Sequence, residues 1–568
     1  MIPLESLGQN RFSLKVQGAD SISKKLVRKI NYDAAVQSKE AVQQVLGAFL
    51  SGFYERGYLA ARFDTVIYDT ASATGIFTAG MQYTWLNLSH GNADAELLHE
   101  EGFKQHQLKG KKISIPELMR LSDKMIRYCE NNGYPFVSFQ LDSVRIDSNR
   151  ISAAIMLKKN DLVKIDSISV KGNARIARSY FYYYLKVRPG NLYNESIISK
   201  IPQRTRDLQF LTEKKPMEIV FEPGKAKIVM YLDRKKASRF DGLLGVMPNN
   251  RTTGKLMLNG ELKLALLSAF GRGELIDLQW RKLEKATQDL KIHLIYPYIF
   301  ATPLGIDVAF KLYKKDTSYL SVNTNIGIQY LFSSDAYIKG FAEIASSSLL
   351  KATGLGNATV LPDYADVSSV LYGIELSKLD YDYRFNPRKG YGIKLSGAAG
   401  NRQIKRNDLV NPILYDSLDL SSTQYKGACY ADLFIPLARK ATLMIASDNA
   451  WIVGSELFDN ELFQFGGLRS FRGFDEESFR ASYYSIATAE LRYLYEKNAY
   501  VSLFWNGAYY EKRTVKDFIH DTPYGFGAGL SFETRIGIFS ISYALGSQYG
   551  SPVLFKQSKL HFGMISYF

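Results

Sequence analysis

The chain has 568 residues, 46% of them hydrophobic and 13% aromatic, with 38 Tyr and 33 Phe against 16 Pro. That length allows several domains, and the aromatic bias favours half-buried strands over helices. The formal charge of +16 is spread along the sequence without a dense basic run, so a nucleic-acid partner is not expected, and a basic lumen with solvated faces explains the charge more simply.

The first expected unit, residues 11–80, runs from "RFSLKVQGA" (strand) through "SKEAVQQVLGAFLSGFYERGY" (helix) to "LAARFDTVIYDT" (strand), with a poorly defined last strand. Residues 81–160 repeat the theme more clearly. There "QYTWLNLSHGN" leads through "IPELMRLSDKMIRYCENNGY" to the strands "FVSFQLDSVRID" and "RISAAIMLKK". Pro116 near the start of that helix and Gly133 after its end fit the usual asymmetry of helix termini. The clearest unit is 161–236, in which "ARSYFYYYL" and "ESIISKIPQRTRDLQFL" read as helical between one strand and a final pair, giving the order β-α-α-β-β. Three such units of about 75 residues constitute an internal repeat. Tyrosines closing the "YERGY" and "CENNGY" phrases are expected to pack rather than react.

From about Ala237 to Phe568 the period changes to two. Phe539, Ile541, Tyr543 and Leu545 alternate with Ile538, Ser540, Ser542 and Ala544, and Ile276, Leu278 and Trp280 alternate with Asp277, Gln279 and Arg281. Alternation marks strands. No run of about 18 apolar residues occurs, which excludes a spanning helix but not a barrel. The strand count comes to about sixteen, an even number, and short turns such as "YEKN" and "TRIG" alternate with long loops near Ala345–Val367, Gly400–Leu420 and Val453–Ser482. Unequal connections of this kind suit periplasmic turns and outer loops, the long ones being outer loops four, five and six. The expected fold is therefore α+β repeats followed by an all-β, sixteen-stranded antiparallel transmembrane barrel over 237–568. The start, "MIPLESLGQNRFSLKV", lacks a leader pattern, so a mature or recombinant form is expected. Cys129 and Cys429 are too sparse for a disulfide framework and are expected to stay unpaired.

In the sixth long loop the sequence reads "FGGLRSFRGFDEESF". Arg472, Gly473 and Phe474, led by Gly466 and Gly467, resemble the Arg-Gly-Phe/Tyr signature of the BamA/TamA superfamily of outer-membrane assembly factors. The three small units resemble POTRA domains, and the overall layout is closest to that of TamA. The resemblance implies that Arg472 meets acidic residues on the inner wall, and an Arg fork suits a carboxylate. Glu490 in "ATAELRYLY" matches the first partner by position. At the second, where related barrels usually carry Asp, "LFWNGAYY" has Asn506, a neutral acceptor. Glu533 in "GLSFETR" points inward by alternation and is either the missing carboxylate or simply a wet lumen residue. "NPRKGY" from Asn386 to Tyr391 is similar to a family segment and also reads as an ordinary Pro/Gly turn.

The resemblance further implies an insertase or translocase that assembles β-barrel or autotransporter-type clients through a lateral seam between the first and last strands. Gly563 would let the last strand bend, or would merely ease packing, and Phe568 ends it. Expected partners are unfolded outer-membrane clients, a periplasmic lipoprotein or inner-membrane protein at the POTRA units, and outer-membrane lipid. The expected location is the Gram-negative outer membrane, with the POTRA units in the periplasm. A two-partner-type secretion pore and a passive porin or receptor remain alternatives. No enzyme motif, cofactor loop or metal-spaced cluster stands out among the six His, so neither catalysis, a cofactor nor a metal is expected. His293 is expected to be a lumen or interface residue.

Overall fold

The computed structural model describes residues 12–36, 38–94, 97–98, 109–235, 237–248, 256–282, 287–333, 335–351, 359–383, 386–468, 470–496, 498–534 and 537–565. The chain forms two compact units, one comprising residues 1–167, 189–199 and 219–228 and the other residues 168–188, 200–218 and 229–568. Three small sheets precede one large one.

The first small sheet is built from β1 (Phe12–Gly18), β2 (Ala35–Val36), β3 (Arg62–Tyr68) and β4 (Ser72–Thr78), in the order β2-β1-β4-β3. It carries α1 (Ser21–Val27) and α2 (Lys39–Tyr54). Ser38 caps α2 by accepting from Ala41 N–H, and Val42, Leu46, Phe49 and Phe53 form its buried face at helical spacing. The expected order therefore gains a two-residue strand between the helices, and the last strand is well formed. Its signal was weak because two of its three inward positions, Ala73 and Gly75, are small; Phe63 and Leu46 fill the space over Gly75.

The second sheet has β5 (Thr84–Ser89), β6 (Ser138–Asp147) and β7 (Arg150–Lys158) in the order β5-β7-β6, under α3 (Ile115–Asn131). Ser114 caps α3, Pro116 lies in its first turn, and Gly133 beyond its end adopts φ +94°. Tyr58 and Tyr134, which close the two helical phrases, pack against the cores of their own sheets. Cys129 and Cys429 are both free thiols, and burial pushes the Cys129 thiol pKa up.

The third sheet has β8 (Lys164–Lys171), β9 (Leu211–Glu222) and β10 (Lys225–Arg234) in the order β8-β10-β9, with α4 (Arg178–Tyr184), α5 (Glu195–Ile198) and α6 (Ile201–Asp207). The single helix expected over Glu195–Leu211 is broken. Pro202 cannot continue a helix from within but is tolerated in a first turn, so a new helix starts at Ile201. The residues after Asp207 turn directly into β9.

The large antiparallel sheet starts with β11 (Arg239–Pro248), β12 (Leu256–Leu267), β13 (Leu275–Lys282), β14 (Gln288–Tyr296), β15 (Leu304–Lys315), β16 (Tyr319–Ser333), β17 (Ala336–Leu349) and β18 (Val367–Tyr381). It continues through β19 (Gly390–Ile404), β20 (Ser421–Ala438) and β21 (Ala441–Val453). A short side hairpin, β22 (Phe463–Phe465) with β23 (Phe479–Ala481), interrupts the order before β24 (Tyr483–Glu496) and β25 (Ala499–Arg513). The sheet ends with β26 (Phe518–Asp521), β27 (Tyr524–Thr534), β28 (Gly537–Ser547) and β29 (Lys559–Ile565). Both β26 and β27 pair with β25, so these two of the 17 segments are one strand interrupted before Tyr524 by Pro523, and 17 − 1 gives sixteen strands. The end strands of the sheet are β11 and β29.

Alternation is obeyed. On β18 and β24 the apolar Ile374, Leu376, Leu491 and Tyr493 are exposed on the outer face, whereas Glu375, between the first two, and Glu490, just before Leu491, are buried. Inside, Asp307 accepts from Gln329 at 2.8 Å and meets His293 at 3.2 Å, while Lys339 lies 3.3 Å from Glu375. His293 is thus a lumen residue. A polar lumen behind an apolar outer face is the membrane-barrel pattern rather than that of a soluble sandwich.

The long connections cover 350–366, 405–420 and 454–482, shorter than expected because β17 runs to Leu349 and β19 to Ile404. They share a small core of Ala365, Val367, Ile404, Val410, Tyr415 and Phe458. At the short-turn end, parts of the third module bond to three different barrel turns. Ala177 N–H donates to Gly271 O at 2.8 Å, the Tyr183 hydroxyl donates to Ala301 O, and Gln203 Nε2 donates to Asp382 O at 3.2 Å.

Candidate functional site: the sixth long loop and the lumen wall

The loop between β21 and β24 is held at three levels. At its start, Arg402 of β19 is completely buried and forms a fork on Glu461, with Nε and Nη2 each 2.6 Å from a carboxylate oxygen. Its Nη1 and Nη2 also donate to the carbonyls of Ser455 and Glu456 at 3.1 and 3.0 Å. Nothing in the sequence flagged this pair, which is 59 residues apart.

In its middle the loop carries a core of its own. Phe465, Phe471, Phe474 and Phe479 cluster with Ile486 and Ala508 from the wall, and the rings of Phe471 and Phe474 stack at 4.9 Å. The path into this cluster needs glycine. Gly466 and Gly467 sit at φ +125° and +93°, and a Cβ on Gly467 would fall 2.1 Å from the Glu476 carboxyl carbon.

At its tip Arg472 enters the lumen. Its Nη1 lies 2.9 Å from Glu490 Oε2, and the second oxygen of that carboxylate is 3.0 Å from Arg492 Nε. The side chains of Arg472, Glu490 and Arg492 are 13%, 4% and 11% exposed, so one carboxylate is shared between two guanidiniums in a nearly dry setting. Arg472 Nη2 donates to Asn506 Oδ1 at 3.4 Å, and its guanidinium stacks 3.6 Å from the centre of the Phe504 ring. Asn506 therefore stands beside Arg472 as a neutral acceptor, itself steadied by Thr488. Arg492 also donates to Asn386 Oδ1 at 3.4 Å, which brings the Asn-Pro turn into contact with the anchor.

Glu533 is elsewhere. It accepts from Asn498 Nδ2 at 2.8 Å, next to the turn between β27 and β28, and is not a partner that the structure gives to Arg472. Gly563 lies in a regular ladder opposite Ser540, and Phe568 is outside the described residues. A contact the sequence did not suggest is that of His561, whose Nε2 accepts the Gly473 N–H at 3.3 Å. Beside the anchor is a cavity of about 460 Å³, lined among others by Arg472, Glu490, Arg492, Asp448, Tyr430 and Asn506.

A sixteen-strand barrel with a polar, loop-filled lumen and small α/β modules in front defines an outer-membrane barrel of the POTRA-bearing class. The chain belongs to the Omp85 superfamily, whose domain matches residues 269–564, just over half of its length. Comparison with curated protein sequences returned no match. Among solved structures, BamA from Haemophilus ducreyi lacking POTRA domains 1–3 is 13% identical, the match covering 84% of this chain and 98% of that one with a TM-score of 0.43. CdiB from Escherichia coli is 14% identical over 92% and 97% with a TM-score of 0.49, and CdiB from Acinetobacter baumannii 12% identical over 85% and 89%, also at 0.49. The family and the sixteen-strand barrel imply the outer membrane of a Gram-negative bacterium.

Proposed function

We propose that the protein assembles β-barrel or autotransporter-type clients in the outer membrane, offering the end strands β11 and β29 as a lateral seam and its three α/β modules as periplasmic receivers. The observation that carries this reading is the loop-six anchor. Arg472 and Glu490 hold a segment of the loop inside the lumen, where it narrows the path a solute would take. Superfamily membership supports the handling of outer-membrane clients rather than solutes.

The chemistry is hydrogen bonding. A client strand entering lipid leaves each unpaired backbone group at a cost of several kcal/mol, so an edge that can pair with it lowers the barrier. The modules present edge strands, β3 in the first sheet and β6 in the second, suited to strand addition by clients or by a lipoprotein or inner-membrane partner. Contacts of Ala177, α4 and α6 with three short turns support a periplasmic position for that end of the barrel.

Depletion of the protein followed by quantitative proteomics of the outer membrane tests the reading. Loss of several barrel or autotransporter proteins is expected. Loss of a single secreted protein with an otherwise intact membrane would replace it with a dedicated secretion pore, and steady solute-selective conductance of the purified protein would replace it with a porin.

A further inference from the structure

Loop six does more than anchor itself to the wall. Its tip crosses the last five strands of the barrel in sequence. The Arg472 side chain binds β24 through Glu490 and β25 through Asn506 and Phe504. The backbone that follows lies flat on β27 and β28, and two facing glycines, Gly525 and Gly546, make this possible. A Cβ on Gly525 would be 2.2 Å from Arg472 O, and one on Gly546 would be 2.7 Å from Gly473 O. Gly473 itself, at φ +103°, would bring a Cβ within 2.9 Å of Leu545 O.

The path ends on β29. Gly473 N–H donates to His561 Nε2 at 3.3 Å, and Asp475 accepts from Lys559 Nζ at 2.7 and 2.8 Å. Lys559 and His561 are two residues apart and therefore share one face of the strand. An imidazole that accepts at Nε2 is neutral and carries its proton on Nδ1. On its other side β29 is held by a ladder of seven residue pairs to β28.

We propose that His561 and Lys559 are positioning residues through which loop six clamps the end strand β29, so that the Arg472 anchor and the edge of the sheet are released together. The clamp gives the proposed insertase a reason to keep its loop inside: a seated loop means a held edge, and a lifted loop means an edge ready to pair. Its use in client entry rests on the insertase reading; the coupling does not.

Hydrogen–deuterium exchange of the full chain in lipid nanodiscs tests the coupling, read at peptides covering 559–565 with peptides from β16 and β17 as an internal control. His561→Leu, which keeps bulk but loses the acceptor, is expected to raise exchange in 559–565 about tenfold, the scale of one hydrogen bond. Asp475→Asn should act in the same direction, and His561→Gln, whose amide oxygen can accept, should restore protection. Arg472→Ala should raise exchange in the same peptides, and adding His561→Leu to it should change little more. Wild-type protection in His561→Leu together with Asp475→Asn would overturn the proposal, as would effects of Arg472→Ala and His561→Leu that simply multiply. Coupling observed in a protein whose depletion leaves outer-membrane proteins unchanged would preserve the clamp and reject the insertase reading.

Discussion

Replacing Arg402 with Met gives the sharpest test of how loop six is secured at its base. The wild-type side chain is fully buried and makes four polar contacts, two to Glu461 and two to the carbonyls of Ser455 and Glu456. With Arg402 gone, Glu461 keeps only the Phe458 N–H at 2.9 Å and Gln424 Nε2 at 3.3 Å of its described partners, and its charge is left buried. Breaking a buried pair from one side typically costs about 3–5 kcal/mol, most of it from the orphaned charge. Local opening around 455–461 should therefore become about 10²- to several 10³-fold more frequent, while the barrel ladders remain. Hydrogen exchange or limited proteolysis of that segment reads the change. The double variant Arg402→Met with Glu461→Leu removes the orphan and should recover part of the loss. Opening less than about tenfold above wild type in the single variant, or a double variant worse than the single, would refute the reasoning.

Other perturbations separate the remaining contributions. Arg472→Lys keeps the charge but loses the fork and the stacking on Phe504, so protease access to 466–478 should rise, though less than in Arg472→Ala, with client assembly falling in the same order. Gly525→Ala places a methyl 2.2 Å from Arg472 O; a folded barrel with a displaced, protease-sensitive loop tip is expected, and overpacking of this kind costs about 1–3 kcal/mol. In the first module, Asp20 accepts from Ser23 N–H and Ile22 N–H, and the Ser23 bonds chiefly hold its carboxyl below the ordinary value. Because the folded pKa is the lower one, this contribution is complete above about pH 4 and disappears as pH falls through the folded value. Exchange of α1 amides, corrected for intrinsic pH effects, should rise on acidification in wild type and be flat over that range in Asp20→Asn.

Face and order were readable from the sequence; depth and distant neighbours were not. Period two put Glu490 and Glu533 on the same inward side, and both residues do alternate with outward neighbours. It carries no information about height along the barrel axis, and Glu533, next to a short turn, bonds Asn498 rather than Arg472. The Arg-Gly-Phe segment announced loop six because a signature is local. Arg402 with Glu461 and Gly473 with His561 join residues 59 and 88 apart, and only the completed strand order brings them together. In the modules, helical periodicity located α2 and α3, while Pro202 divided what read as one helix. β4 was faint because Ala73 and Gly75 lend an inward face little hydrophobicity.

Glu490 has two guanidiniums, and this changes what unplugging the lumen costs. An ordinary buried pair resists separation because the partner left behind is stranded without a counter-charge. Here the wall carboxylate stays with Arg492 when Arg472 departs, and Arg492 itself remains tied to Asn386. At this anchor the wall would lose one neutral hydrogen bond, that of Asn506 Oδ1, and the outgoing arginine is the one charge that must find a new partner. With the loop seated two guanidiniums share one carboxylate, and without Arg472 the wall keeps a one-to-one pair of Glu490 with Arg492, so lifting the loop would strand no charge at this point of the wall.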